Sequence, residues 1–177
     1  PQMDFPCIHI TGTNGKGSTS ALISRLLGSM GLKVGTYCSP HVSSITERIQ
    51  INTEPISEDE FAEVVSHLKL ATSSLDVTPS WFELITASAF SCFANNAVDV
   101  AVIEVGMLGR YDATNIADAK VAIITNVGYD HTDGAEGWRK KLAWEKAGII
   151  KNGSVVCLGD TCLLYTSDAA DDIQGVD

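Results

Sequence analysis

Residues 8–19, Ile8-His9-Ile10-Thr11-Gly12-Thr13-Asn14-Gly15-Lys16-Gly17-Ser18-Thr19, constrain this chain more than any other stretch. A short apolar run stops at a glycine-rich turn. A lysine and two hydroxyl residues follow, and then a helical pattern begins. That is the strand–loop–helix layout of a phosphate-binding loop. Backbone N–H groups of such a turn converge on phosphate oxygens, and the helix N-terminus adds partial positive charge. Lys16 supplies a full charge, and Ser18 or Thr19 a hydroxyl suited to magnesium. The match to G-x-x-x-x-G-K-[ST] is imperfect: Ile10 stands where the first glycine belongs, and Gly17 follows the lysine. A plain glycine-rich turn between strand and helix is the competing reading.

The remaining pattern fits that start. Residues 7–11 read as a buried strand. Ala21, Leu22, Leu26 and Met30 repeat at helical spacing, and Gly31 ends that helix. Val34–Cys38 is a second strand. Ser39–Thr53 reads as a long loop with a β ribbon at Arg48–Ile51, and a loop of that length in a compact domain is usually functional or disordered. Ser57 with Glu60 and Ser80 with Glu83 form two capping boxes. The helices they open present Phe61, Val64, Val65 and Leu68, then Phe82, Ile85, Ala89 and Phe93. Val98–Val105 and Val121–Val127 are β runs, Trp138–Ala147 is helical up to Gly148, and Ser154–Leu158 is a last strand. Strands alternating with helices predict an α/β fold with a doubly wound, mainly parallel sheet. Ligands bind such sheets beyond the carboxyl ends of the strands. Gly12–Ser18, Glu104–Asp112 and Asn126–His131 fall at those ends.

Composition narrows the function. The 177 residues are 45% hydrophobic and 19% charged, enough for one domain with a proper core. The net charge of −10 argues against a nucleic-acid footprint, and no apolar run reaches membrane-spanning length. The five cysteines form no C-x-x-C pair and read as reduced thiols of a cytoplasmic protein. Residues 160–177 hold five Asp and no Lys or Arg, which leaves 17 acids against 12 bases elsewhere. Within them, Leu163–Asp172 continues no earlier pattern and resembles translated adaptor sequence. We expect 1–159 to be the folded unit and 160–177 a non-native or disordered tail, a read-through artefact. Pro1-Gln2-Met3 does not look like a natural start.

Several residues carry candidate chemistry. Glu104 ends an apolar strand, where a carboxylate is costly unless paired or metal-bound. His131 follows Asp130 beyond another strand end and could bind a metal or simply hydrogen-bond. His9, inside a strand, reads as structural, and His67 as solvated. Lys146, on spacing alone, is a surface lysine suited to a helix C-terminus. The stretch from Ser39-Pro40-His41 to Glu47-Arg48 is a candidate substrate loop.

Taken together, these stretches resemble the folylpolyglutamate synthase and dihydrofolate synthase family of the Mur ligase superfamily. Gly12–Ser18 resembles its nucleotide loop, and Gly17 after the lysine favours the folate branch. Ser39-Pro40-His41 with Glu47-Arg48-Ile49 and Asn52 is similar to its substrate-side loop, and Ser80-Trp81-Phe82-Glu83 to its pterin-side helix start. Glu104-Val105-Gly106 through Arg110-Tyr111-Asp112-Ala113-Thr114-Asn115, then Asp130-His131 and Glu145-Lys146-Ala147-Gly148, complete an ordered series over about residues 1–158.

The resemblance implies a partial Mur ligase central ATPase domain. It implies ATP-dependent joining of L-glutamate to dihydropteroate or a reduced folate through an acyl phosphate. Gly12, Thr13, Asn14, Gly15, Lys16, Gly17, Ser18 and Thr19 would bind ATP. Lys16, Glu104, His131 and Lys146 would be catalytic. Ser18 and Glu104 would hold one Mg2+, and His131 and Lys146, carbamylated in this family, a second; K+ is left open. Ser39, Pro40, His41, Arg48, Ser80, Phe82, Arg110 and Asp112 would line the pterin side. The partners implied are small molecules, with no nucleic acid or membrane, and the family is usually monomeric. Met107-Leu108 departs from the family's usual apolar residue and glycine, putting a side chain into a tight turn. The chain resembles a family member truncated at both ends, without the C-terminal glutamate-binding domain, so the fragment alone is expected to turn over poorly. A UDP-sugar peptide Mur ligase and a nucleotide-dependent switch with no ligation are the alternatives.

Overall fold

The computed structural model describes residues 1–74, 76–130, 132 and 134–159. In chain order, β1 (Cys7–Thr11) leads into α1 (Lys16–Ser29) and β2 (Val34–Tyr37). A 3-10 turn at Ile45–Arg48 precedes β3 (Ile49–Ile51) and β4 (Glu54–Pro55). Helices α2 (Glu58–Thr72) and α3 (Trp81–Asn95) follow, then β5 (Val100–Glu104), a 3-10 turn at Ala113–Ile116 and β6 (Ala119–Ile124). The last elements are α4 (Trp138–Ala147) and β7 (Val155–Leu158). The sheet order is β4-β3-β2-β5-β1-β6-β7. Strands β2, β5, β1, β6 and β7 run parallel, while β3 and β4 extend the β2 edge as an antiparallel hairpin. The expected doubly wound parallel sheet is present. The ribbon expected at Arg48–Ile51 is present as β3, and the 3-10 turn at Ile45–Arg48 is the one regular element that the loop reading of Ser39–Thr53 did not expect.

Strand alternation splits the core into two layers. Ile10, Val34 and Val102 face α1, where Ile8, Ile23, Leu27 and Ile123 join them. Cys7, Tyr37, Ala101 and Ile103 face the other way, against Ile85, Ala89, Phe90 and Phe93 of α3. Further along that second face, Ile124 and Val127 pack on Leu142 and Ala143 of α4. The second layer is aromatic: Phe5 stacks on Phe90 with centroids 6.1 Å apart and meets Phe93 edge-on at 5.9 Å. Burial pushes the Cys7 and Cys38 thiols to about 11 and Cys92 to about 12, so they sit in the structure as protonated, free thiols.

Local signals behave as the residues dictate, with two exceptions. Ser80 accepts from the Glu83 N–H at 3.2 Å, and Glu83 Oε2 accepts from the Ser80 N–H at 2.7 Å. At Ser57 only half the box forms: Ser57 Oγ accepts from the Glu60 N–H, while Glu60 Oε1 accepts from Asn96 Nδ2 at 2.9 Å. The larger correction concerns α1. The Leu22, Leu26 and Met30 side chains are exposed at 63%, 63% and 75%, whereas Ser20 and Ser24 are buried at 1%. The buried face is Ser20, Ile23, Ser24 and Leu27. Close approach of α1 to the sheet selects small residues, and the Ser24 hydroxyl hydrogen-bonds Thr36 Oγ1 at 2.7 Å. Hydrophobic spacing alone picks the wrong side of this helix. Gly31 does adopt the left-handed conformation (φ 88) just past the helix end.

Candidate active site

The glycine-rich loop crosses the carboxyl ends of β1 and β6. Gly12 has φ 151, and a Cβ there would lie 1.8 Å from Thr125 Oγ1, so only glycine lets the loop lie against β6. Gly15 is left-handed (φ 81) where α1 begins. Asn126 clamps the loop: its Oδ1 accepts from the Thr13 N–H at 3.1 Å and the Asn14 N–H at 3.0 Å. Thr125 Oγ1 donates to Asn14 O at 2.6 Å, and Thr13 Oγ1 accepts from the Gly128 N–H at 3.0 Å. Sequence reasoning did not single out Thr125 and Asn126 for this role; their place directly after an apolar strand was the available signal. Lys16 Nζ curls back onto Gly12 O at 2.9 Å and Thr13 O at 3.4 Å. Its ammonium is held by neutral carbonyls within the loop.

Two buried ionisable groups feel the charge of Lys16. Glu104 is 3% exposed at the end of β5, and its carboxylate oxygens lie 3.8 Å from where a Cβ on Gly17 would sit. Burial raises its pKa; the Ser39 N–H, Lys16 and Arg48 pull it back less. Lys146 is also 3% exposed, which corrects the surface reading of its spacing. Burial, then the charge of Lys16, lowers its pKa to about 8, while Asp130 opposes the shift. Lys16 thus shares one electrostatic neighbourhood with both groups. Ser18 is exposed on the first turn of α1. His131 lies outside the described residues, as do residues 160–177.

A cavity of about 690 Å³ adjoins this centre. Of the expected pterin-side residues, Ser39, Pro40, Arg48, Ser80, Phe82 and Asp112 line it, together with Trp81, Met107, Leu108, Tyr111 and Glu145. Phe82 packs directly on Gly106, where a Cβ would meet its ring at 2.3 Å. Arg48 is buried, lies over the Trp81 ring at 4.9 Å, and donates from Nε to His41 Nδ1 at 2.9 Å. His41, expected on the pterin side, does not line the cavity and connects to it through Arg48. Arg110 does not line the cavity: its guanidinium stacks on Trp144 at 3.6 Å and donates to Trp144 O at 3.2 Å. Glu47, which forms no ion pair with Arg48, instead gathers the N–H groups of Val42, Ser43 and Ser44 at 2.8, 3.0 and 2.8 Å, shaping the loop. Leu108 adopts φ 61, as the tight turn expected there requires. Its side chain packs toward the α4 cluster, and its carbonyl accepts from Thr11 Oγ1 at 2.5 Å.

The sequence profile of the Mur ligase middle domain matches residues 10–162. The chain belongs to that family. The dihydrofolate synthase/folylpolyglutamate synthase of Bacillus subtilis is 40% identical over 158 residues, 86% of this chain and 37% of that protein. The crystal structure of the bifunctional folylpolyglutamate synthase/dihydrofolate synthase from Yersinia pestis, complexed with AMPPNP and Mn ion, superposes with a TM-score of 0.88 at 36% identity. That match covers 95% of this chain and 41% of the other. E. coli FolC in complex with DHPP and ADP superposes with a TM-score of 0.88 at 35% identity, over 94% and 40% of the two chains. The chain thus spans well under half the length of these Mur ligase relatives. Among the described residues, no helix is long and apolar enough to cross a membrane.

Proposed function

We propose that this chain is the ATP-binding part, residues 1–159, of an enzyme that joins L-glutamate to dihydropteroate or a reduced folate. The observation that carries this is the meeting of two subsites at one hydrogen bond: Glu104, facing the phosphate loop, accepts from the N–H of Ser39, which lines the cavity. A carboxylate bound in the cavity and the terminal phosphate of ATP on the loop would then come together at Glu104. The Bacillus subtilis relative bears both activities in its name, and the two superposed structures hold AMPPNP with Mn ion, and DHPP with ADP.

The roles follow from the chemistry of each group. Lys16 would leave its loop carbonyls for the β- and γ-phosphates and neutralise charge as phosphoryl transfer makes the acyl phosphate. The glutamate amine would then attack that activated carbonyl and expel phosphate. Phe82 offers a ring face, and Asp112 carboxylate lone pairs, to the N–H groups of a pterin. Arg48 has no carboxylate partner among the described residues, which suits it to a substrate carboxylate.

The residues also fit a divalent cation. Among the described residues no three His, Cys, Asp or Glu side chains gather to hold one by themselves. Glu104, a buried carboxylate with one backbone donor, and the Ser18 hydroxyl would hold a Mg2+. His131 and carbamylated Lys146 would hold a second. Bound there, the cations would screen the phosphates.

The deciding measurement is glutamate-dependent phosphate release with ATP and dihydropteroate, made on the intact enzyme and on this chain. Release by the intact enzyme, with binding but little turnover by the chain alone, is expected. Release with a UDP-linked peptide acid instead, or hydrolysis indifferent to any acid or amine, would overturn the reading.

A further inference from the structure

His9 takes no part in the chemistry proposed for the site. His9 lies in the middle of β1, between Ile8 and Ile10, and is 0% exposed. Burial first, and the charge of Lys151 second, lower its pKa to about 3, so the ring is neutral. Its Nε2 lies 2.8 Å from Thr114 Oγ1, while its Nδ1 is buried with no hydrogen-bond partner among the described residues. An unpaired buried acceptor costs free energy that an aliphatic side chain would not, so the imidazole calls for a reason.

The reason lies one bond further on. Thr114, itself 0% exposed, donates from Oγ1 to Asp112 Oδ1 at 2.5 Å. Its backbone N–H donates to the same oxygen at 3.0 Å, and the Met107 N–H donates to Oδ2 at 2.8 Å. Asp112 lines the cavity. A hydroxyl has one proton and a carboxylate only accepts, so the Thr114 proton goes to Asp112. Thr114 Oγ1 must then accept from His9, which makes His9 the Nε2–H tautomer and leaves Nδ1 as a bare lone pair. The orphaned nitrogen is a consequence of the direction in which the chain of bonds runs.

We propose that His9 is a positioning residue for Asp112: its Nε2–H, relayed through the Thr114 hydroxyl, fixes the carboxylate in the cavity wall with its remaining lone pairs turned toward the ligand. Linked donors polarise one another, so the Thr114 bond to Asp112 is strengthened by the one behind it. The ligand class is a flat ring bearing N–H donors. This rests on the folate reading of the cavity only for the ligand's identity; the relay itself does not depend on it.

Two measurements on the full chain test it separately. The first is 15N and 1H NMR of the His9 ring. The Nε2–H tautomer is expected, and Asp112→Asn should move the Nε2–H proton resonance upfield, because a neutral amide polarises the hydroxyl less than a carboxylate. An Nδ1–H tautomer, or a resonance indifferent to Asp112→Asn, would overturn the relay. The second is calorimetric binding of pteroate and of ADP. His9→Leu should weaken pteroate about tenfold, the loss of one polarised hydrogen bond. His9→Gln, which keeps an N–H near Nε2, should restore it, and ADP affinity should be unchanged in both. Equal pteroate affinity in wild type and His9→Leu would overturn the proposal. Absence of pteroate binding by the wild type, with the NMR result as expected, would sink the folate reading and uphold the relay.

Discussion

Glu104 Oε2 accepts a hydrogen bond from the backbone N–H of Ser39 at 3.0 Å, and this single contact joins the end of β5 to the start of the cavity loop. Among the described residues this is its one hydrogen bond, and together with the charges of Lys16 and Arg48 it offsets burial only in part, so the pKa is raised. The unfolded chain therefore loses the proton first as pH rises, and stability falls between the ordinary carboxylate pKa and the raised one. Glu104→Gln should flatten that fall, raise the melting temperature of the metal-free chain at pH 7, and remove Mn2+ binding measured by calorimetry. A lower melting temperature would show that the carboxylate is stabilising as it stands.

Lys146 sits where an amine is most readily uncharged. With a pKa of about 8, its neutral fraction rises steeply across pH 7 to 9. In 13C-bicarbonate, the wild-type chain should show a carbamate NMR signal that grows as pH rises through about 8, and Lys146→Met should show none. A signal equal in the two proteins would place the carbamate on another amine.

His9 should make the fold acid-sensitive. Its pKa is about 3 in the folded chain and near 6.5 in the unfolded one, so below pH 6.5 only the unfolded state takes up a proton there. Stability should fall by about 1.4 kcal/mol per pH unit from that group between pH 6.5 and 3. Urea unfolding at several pH values reads the slope, and His9→Leu should remove this component.

The two faces of α1 should respond unequally to truncation. Ile23→Ala deletes side-chain atoms packed against Ile10, Val34 and Val102 and should cost about 2–4 kcal/mol. Leu22→Ala, on the exposed face, should fall within about 0.5 kcal/mol of wild type. Denaturant melts of the two variants check which face is buried.

Much of the fold was legible because it is written in local patterns. The strand at Val100–Glu104 follows from a β-branched run, the start of α3 from Ser80 and Glu83, and the stop after α4 from Gly148. The phase of α1 was not legible, because what buries Ser20 and Ser24 is close approach to the sheet and the hydroxyl of Thr36, neither visible in a hydrophobic count. The burial of Lys146 was hidden for a similar reason: one helical turn looks alike whether it faces water or the protein interior. The support of Asn126 for the glycine-rich loop needed a contact between residues more than a hundred positions apart.

The site shows the same division. The sequence by itself determined the residue types: a glycine-rich turn with Lys16, an acid ending an apolar strand, and an ordered series of segments that marks the Mur ligase family. These follow from backbone freedom, charge and spacing along the chain. Only the tertiary structure decided which of them meet. It puts Glu104 and Lys146 within electrostatic reach of Lys16, turns Arg110 onto Trp144 and away from the cavity, and runs His9 through Thr114 to Asp112. The reason is physical: pKa shifts and hydrogen-bond direction depend on burial and on neighbours supplied by other strands, and a linear pattern carries neither.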